Sequence, residues 1–141
     1  MPGIAPALLQ AYFDSRYSVA CPAGLAEFHI GGPLPECLRR PFALLTAWNP
    51  RSEPLDRVRN DARETALRVQ LDSAGWPHLP ARGEGPDGWV EESVAIFEIP
   101  LPDALSLARQ YGQNALVWGD GRHTELVLGS GERPPRPEPG I

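Results

Sequence analysis

The run Phe42-Ala43-Leu44-Leu45-Thr46-Ala47-Trp48 decides the fold, because only one of its residues, Thr46, is polar. A nearly continuous apolar run is typical of a strand that is buried on both faces. The strand is expected to end at Asn49-Pro50, since proline donates no hydrogen bond to a β-ladder and restricts the residue before it. We therefore place this strand at the centre of the predicted sheet.

The stretch after Asn49-Pro50 predicts the best-defined helix, from about Glu53 to Ser73, with Ser52 as its N-cap and Gly75 as its left-handed stop. A second lane on this helix, about 160° from the main apolar stripe, carries Asn60, Leu67 and Leu71 and indicates that this side is partly enclosed as well. The main stripe is expected to be the core face and consists of Leu55, Val58, Ala62, Ala66 and Val69.

The remaining elements surround this unit of strand and helix. Before it we expect a helix at residues 7–13, strands at residues 16–20 and 26–30, and a helical turn at residues 35–40. After it we expect a strand or extended loop at residues 76–82, a loop at residues 83–88 and a strand at residues 93–99. A helix at residues 103–111 and a hairpin at residues 115–128 then follow. This order favours an α+β fold, a two-layer sandwich with a mixed, mainly antiparallel sheet of roughly five to seven strands and two main helices.

Length and composition predict a single globular domain over residues 1–128 and a Pro/Gly-rich disordered tail over residues 129–141. The chain has 141 residues and a mass of 15.4 kDa, which is the usual size of one domain. From Gly129 onward it contains only Gly, Ser, Arg, Glu and Pro before the final Ile141. No internal repeat and no earlier domain boundary is expected.

The charged residues exclude several classes of function. All 13 basic residues are Arg, which excludes Schiff-base catalysis and the lysine-dependent nucleotide sites. A net charge of −5 argues against binding to nucleic acid or to an anionic membrane. The histidines are scattered without metal-ligand spacing and no CxxC pair is present, so neither a metal nor a cofactor is predicted.

The N-terminal stretch and the number of cysteines both predict the same cellular compartment. The N-terminal stretch lacks a basic n-region, so no signal peptide is expected, and no apolar run is long enough for a spanning helix. Two cysteines are too few for a secreted disulfide framework. We therefore expect a soluble protein in the cytoplasm, where Cys21 and Cys37 would remain thiols.

Polar side chains at the predicted strand ends supply the candidate site. Asn49 ends the central strand, and Asn60 and Arg63 lie in the helix that follows. A buried amide needs hydrogen-bond partners. Asn60 therefore either staples the turn from strand to helix or lines a polar pocket with Asn49 and Arg63.

Two further polar pairs, Glu91-Glu92 and Gln113-Asn114, stand at strand entrances, where side chains can face a cleft. Successive residues of a strand point to opposite faces, so at most one of the two glutamates faces a pocket. The candidate ligand-binding residues are Asn49, Asn60, Arg63, Glu92, Gln113 and Asn114.

Several of these residues stand in strings that resemble an uncharacterised bacterial family, the domain-of-unknown-function family 3293. The similarity runs from about Tyr12 to Val127 and leaves the Pro-rich tail outside. It implies a small stand-alone bacterial domain and carries no activity, cofactor or catalytic residues. The strings are Thr46-Ala47-Trp48-Asn49-Pro50 with Asn60 and Arg63 downstream, Gly88-Trp89 with Glu91-Glu92, and Gly112-Gln113-Asn114-Ala115.

Three functions are compatible with these residues. The favoured one is a binding domain whose Asn/Gln/Arg cluster orients a small polar or anionic ligand or a protein partner, with Arg63 facing an anionic group. The alternative is a small hydrolase or transferase in which Glu91 or Glu92 is the general base and Asn49 or Gln113 stabilises developing charge. Nucleic-acid binding through the arginines between residues 39 and 68, with Trp48 stacking, is disfavoured by the acidic balance. No oligomeric state is predicted.

Overall fold

The computed structural model describes residues 4–137 of the chain. Its α-helices are α1 (Pro6–Asp14), α2 (Arg57–Ala74) and α3 (Leu101–Gln110), and short 3-10 turns lie at Glu36–Leu38 and Pro50–Ser52. Its strands are β1 (Arg16–Cys21), β2 (Gly24–Phe28), β3 (Pro41–Thr46), β4 (His78–Glu84), β5 (Val90–Phe97), β6 (Ala115–Asp120) and β7 (Thr124–Leu128).

The strands form one sheet in the order β2-β1-β4-β5-β3-β6-β7, which curls into an open half-barrel. β3 lies between β5 and β6, and Leu44 is opposite Ala95 on one side and Val117 on the other. The α+β class and the central position of β3 are therefore confirmed. The expected mixture of strand directions is wrong, because every neighbouring pair among the described strands is antiparallel.

The two-layer sandwich is not confirmed, because helices cover both faces of the sheet. Phe42 and Leu44 of β3 face a cluster that includes Phe13 of α1. The alternate residues Ala43 and Leu45 face a second cluster, which includes residues of α2 and α3. The strand is therefore buried on both faces, as the continuous apolar run predicted, and each face of β3 contributes to a different core.

The face of α2 that packs on the sheet is the reverse of the predicted one. Val58 and Val69 are 79% and 59% exposed, whereas Leu67 and Leu71 are 1% and 0% exposed. Two leucines bury more apolar area than the smaller valines and alanines of the wider stripe. The predicted core stripe is therefore solvent-facing, and the lane of Asn60, Leu67 and Leu71 is the buried face.

The predicted start of this helix is also wrong. α2 begins at Arg57, and its N-cap is Asp56, whose carboxylate accepts a hydrogen bond of 2.9 Å from the Arg59 backbone N–H. Ser52 lies instead in the 3-10 turn after β3. Gly75 ends the helix with a φ of 78°, as expected.

Several other boundaries differ by a few residues. β4 continues through Gly83 and Glu84, which pair with β1, so the predicted loop is shorter than expected. β5 begins at Val90 rather than at residue 93, because its first residues pair with this extension of β4. α3 begins at Leu101 after the N-cap Pro100, so Asp103 lies in its first turn.

The prediction that Cys21 and Cys37 remain thiols is wrong, because the two sulfurs are joined in a disulfide. Cys21 ends β1 and Cys37 lies in the first 3-10 turn. They are 16 residues apart in sequence, and the fold brings their Cα atoms to 6.6 Å. The expected cytoplasmic location drew on reduced thiols and stays a prediction. Within residues 4–137, no helix combines the length and the apolar character needed to cross a membrane.

Part of the predicted tail contacts the rest of the fold. Arg136 donates one hydrogen bond of 3.1 Å to the backbone oxygen of Phe13 and another of 2.6 Å to the carboxylate of Asp14. These contacts lie at the C-terminal end of α1, where backbone carbonyls are free to accept. Residues 138–141 of the predicted tail lie outside the described residues, and the domain boundary at residue 128 stays a prediction.

The orientation of α2 gives a stability prediction. Leu71→Ala should lower the free energy of unfolding by about 2–5 kcal/mol, because it leaves a cavity against the sheet. Val69→Ala on the same helix should change it by no more than about 0.5 kcal/mol, because Val69 is exposed. Urea denaturation measures both values, and equal losses for the two variants would contradict this orientation.

Candidate functional site

A cavity of about 240 Å³ lies between α1 and the sheet face that α1 covers. It is smaller than the pockets of about 300–1,000 Å³ that hold drug-sized ligands, so it suits a compact molecule. One part of its lining is apolar, and the other carries hydroxyl and carboxylate groups. Among its lining residues are Leu8, Ala11, Tyr12, Tyr17, Leu44, Thr46, Ser52, Asp87, Trp89, Glu91, Ser93, Val117 and Leu126.

Glu91 is the half-buried acid of this cavity. Glu91 and Ser93, alternate residues of β5, face the cavity together with Trp89, which precedes the strand. The Asn49 side-chain amide donates a hydrogen bond of 3.0 Å to Glu91 Oε2. Burial raises the pKa of Glu91, and the hydrogen-bonding groups of Asn49 and Trp89 partly offset this rise. No arginine of the described chain forms an ion pair with Glu91.

Two tyrosines place neutral hydroxyl groups beside this carboxylate. Burial and the nearby charge of Glu91 raise the pKa of Tyr12 to about 12, although Ser52 and Asn114 near its hydroxyl lower it in part. Burial also raises the pKa of Tyr17, whose hydroxyl donates a 3.0 Å hydrogen bond to the Tyr12 backbone oxygen. Asn114 Nδ2 donates to Ser52 Oγ over 3.1 Å. Both tyrosines therefore remain neutral hydrogen-bonding groups at physiological pH.

The loop after β3 has a strained backbone where it reaches the cavity. Asn49, Arg51 and Ser52 have φ angles of 45°, 58° and 60°, in the left-handed region that residues other than glycine rarely adopt. Each such residue costs about 1–3 kcal/mol and persists only where its surroundings hold it. The loop places Ser52 in the cavity lining. Strain of this kind is concentrated at functional sites.

Asn60 holds the first residue of this loop through paired amides. Asn60 Oδ1 accepts the Asn49 backbone N–H at 2.9 Å, and Asn60 Nδ2 donates to Asn49 Oδ1 at 2.9 Å. Asn49 Oδ1 also accepts the backbone N–H of Leu55 at 2.9 Å. With its oxygen held in this way, the Asn49 amide nitrogen is directed to Glu91.

Arg63 and Gln113 fix the loop from the other side. Arg63 donates to the backbone oxygens of Ala47, at 2.6 Å, and Tyr111, so it links the end of β3 to the end of α3. Gln113 donates to the backbone oxygen of Trp48 at 2.9 Å. Their polar groups are therefore engaged by backbone and do not reach the cavity.

Gly112 completes the clamp on the loop. Its backbone oxygen accepts the Arg51 N–H at 2.8 Å. A Cβ atom at Gly112 would lie 3.0 Å from Pro50 Cβ, and its φ is 70°, so both the close approach and the backbone conformation require glycine here.

The predicted site residues thus separate into three groups. Asn60, Arg63 and Gln113 hydrogen-bond the loop and the strand end, while Asn49 and Asn114 bond Glu91 and Ser52, which line the cavity. Glu92 lies on the opposite face of β5 and pairs with Arg82 at 2.7 Å. For Asn60 the geometry favours the staple.

None of the six predicted ligand-binding residues lines the cavity, and the sequence did not point to its polar and aromatic lining residues Tyr12, Tyr17, Ser52, Asp87, Trp89 and Ser93. Alternation already placed Glu91 and Glu92 on opposite faces of their strand, but it does not tell which of the two faces meets the cavity. Tyr12 carries no such signal, because only the tertiary fold brings α1 over the sheet. For Tyr17 of β1, the alternation of the strand does not tell which face meets the cavity. Within residues 4–137, no group of three or more His, Cys, Asp or Glu side chains is placed to hold a metal ion.

Residues 45–116 match the family described as protein of unknown function (DUF3293). The chain belongs to this family. The resemblance seen in the sequence is therefore confirmed, over a shorter span than expected. The DUF3293 region includes the strained loop, α2 and Glu91, and it leaves Tyr12 and Tyr17 outside. Neither the curated proteins nor the solved structures gave a match.

The paired amides give the first prediction for the site. Asn60→Ala should lower the free energy of unfolding by about 1–3 kcal/mol, because the buried N–H of Asn49 loses its acceptor. Thr65→Ala, at an exposed position of the same helix, should change it by no more than about 0.5 kcal/mol. Urea denaturation compares them, and a neutral Asn60→Ala would show that the loop is held without this pair.

The buried carboxylate gives a pH-dependent prediction. Folding raises the pKa of Glu91. Its favourable contribution to the free energy of unfolding is therefore complete below the unfolded-state pKa and is lost as the pH rises through the folded-state pKa. Glu91→Gln should therefore raise the melting temperature at pH 7, and this gain should shrink as the pH falls towards 4.

The matched control is Glu92→Gln, which changes the half-buried neighbour on the other face of β5, where Arg82 pairs with it. Calorimetric melting of both variants across this pH range should show the trend for Glu91→Gln alone. If Glu91→Gln melts below the natural protein at pH 7, or if its gain over the natural protein is larger at pH 4 than at pH 7, the effect attributed to burial is contradicted.

Proposed function

We propose that this domain binds a compact organic molecule in the cavity beneath α1, with the polar end of the ligand at Glu91. The observation that carries the proposal is a cavity of about 240 Å³ that combines an apolar wall with one half-buried carboxylate, whose pKa burial raises. Ligand sites are typically apolar hollows with a few convergent polar groups and a perturbed pKa. The hydroxyls of Tyr12 and Ser52 add such groups to this lining.

The surrounding scaffold supports this proposal. Binding sites need polar groups whose positions are fixed before the ligand arrives. Here the Asn60 amide fixes Asn49, and Asn49 fixes one oxygen of Glu91. The cost of three left-handed residues is easier to understand if the loop serves a site than if it only connects β3 to α2.

The ligand we propose differs from the anionic one that Arg63 suggested. The guanidinium of Arg63 donates to the carbonyls of Ala47 and Tyr111, and Arg63 is not among the residues that line the cavity. The charged lining residues of the described chain, Asp87 and Glu91, are both acidic. A polar end that is neutral or positively charged therefore suits this cavity better than an anion.

A second function, catalysis with Glu91 as general base, is favoured by one observation. Burial moves the pKa of Glu91 upwards, and a base is most effective when its pKa is close to the working pH. In this case Asn49 would orient the carboxylate rather than stabilise developing charge. Turnover of a bound molecule that is lost in Glu91→Gln, with binding retained, would distinguish catalysis from binding alone.

A cavity-filling variant tests the binding proposal. Ala11 lines the cavity, and Ala7 is exposed in the first turn of the same helix α1. In a ligand-observed NMR screen of single-ring compounds, the natural protein and Ala7→Phe should bind the same compounds. Ala11→Phe should lose them, because its ring occupies the cavity. Binding that survives in Ala11→Phe, or no binding by the natural protein, would contradict the proposal.

A further inference from the structure

The cavity has an excess of negative charge and aromatic surface. Among its described lining residues are two carboxylates, Asp87 and Glu91, and three aromatic side chains, Tyr12, Tyr17 and Trp89. None of the described lining residues is an arginine or a histidine. The charge of Glu91 therefore meets only neutral donors from the protein.

Other carboxylates of this chain form ion pairs with arginine. Glu92 pairs with Arg82 at 2.7 Å, and Glu84 pairs with Arg16 at 2.8 Å. The arginines of these pairs are exposed and the glutamates half-buried, so each charge meets both an opposite charge and water. Glu91 is the carboxylate that burial affects, and its hydrogen-bond donor at 3.0 Å is the neutral amide of Asn49. A buried charge without an opposite charge is costly, and a cation that binds beside it would recover part of that cost.

The aromatic side chains favour the same kind of ligand. The faces of tryptophan and tyrosine rings attract cations through the ring quadrupole. Trp89 is 38% exposed, so a molecule that enters the cavity from solvent can pass beside its ring before reaching Glu91. The apolar wall of Leu44, Val117 and Leu126 then contacts the uncharged body of the ligand.

We propose that the cavity binds an organic monocation, a protonated amine or an amidinium attached to a single apolar ring. The charged group pairs with the Glu91 carboxylate, and the ring lies against the apolar wall. This inference rests on the proposed binding function, and it adds the charge and the size of the ligand.

Three probes of similar shape and different charge test the inference: benzylamine, which is protonated at pH 7, benzyl alcohol and benzoate. Titration calorimetry at pH 7 gives the dissociation constant of each probe for the natural protein, for Glu91→Gln and for the control Glu92→Gln. The natural protein should bind benzylamine about tenfold more tightly than benzyl alcohol, which corresponds to about 1.4 kcal/mol. Glu91→Gln should remove this preference, so that benzylamine binds no more tightly than benzyl alcohol, while Glu92→Gln should behave as the natural protein.

The outcomes separate this inference from the function on which it rests. If benzyl alcohol binds as tightly as benzylamine and Ala11→Phe removes both, the cavity binds ligands and the cationic preference is wrong. If benzoate binds most tightly, the inference is wrong and an anionic ligand is favoured. A preference for benzylamine that persists in Glu91→Gln also overturns it. If none of the probes binds, both proposals fail.

Discussion

The paired amides of Asn49 and Asn60 are the interaction on which the candidate site depends. Asn60 satisfies both the backbone N–H and the side-chain oxygen of Asn49, so the left-handed conformation of Asn49 is held by hydrogen bonds in both directions. The orientation of Asn49 fixes its contact with Glu91, and the loop that follows carries Ser52 to the cavity. Asparagine tolerates the left-handed conformation, so the local sequence favours it at Asn49, but the loop contains no glycine to relieve the strain at Arg51 and Ser52.

Glu91, unlike the paired amides, lowers the stability of the folded state. A half-buried carboxylate that meets only neutral donors destabilises the folded state at neutral pH, and the ion pairs of Glu84 and Glu92 show that arginine partners were available to other carboxylates. Functional sites commonly retain groups that lower stability because the ligand or the reaction needs them. The rigid loop and the costly carboxylate are therefore two parts of one arrangement, since a charge of this kind is useful only where its position is fixed.

Sequence reasoning succeeded where the signal is local and failed where it depends on packing. The apolar run at residues 42–48 identified the central strand, because burial on both faces leaves a continuous pattern. Periodicity alone chose the face of α2 that carries Val58, since it does not distinguish a wide stripe of small residues from a narrow one with Leu67. Alternation placed Glu91 and Glu92 on opposite faces, but only the packing of α1 on the sheet makes the Glu91 face the cavity side. The contribution of Tyr12 depends on α1 packing over the sheet, which no local pattern records.

An NMR pH titration that follows the Glu91 carboxyl carbon and the Asn49 side-chain amide protons in the same sample tests the central claim most directly. The account predicts that the Glu91 carbon titrates with a midpoint above the ordinary glutamate pKa, because burial disfavours its charge. The Asn49 amide protons should shift with the same midpoint, because they donate to the carboxylate. A Glu91 midpoint at or below the ordinary value, or Asn49 amide protons that do not follow it, would contradict the account.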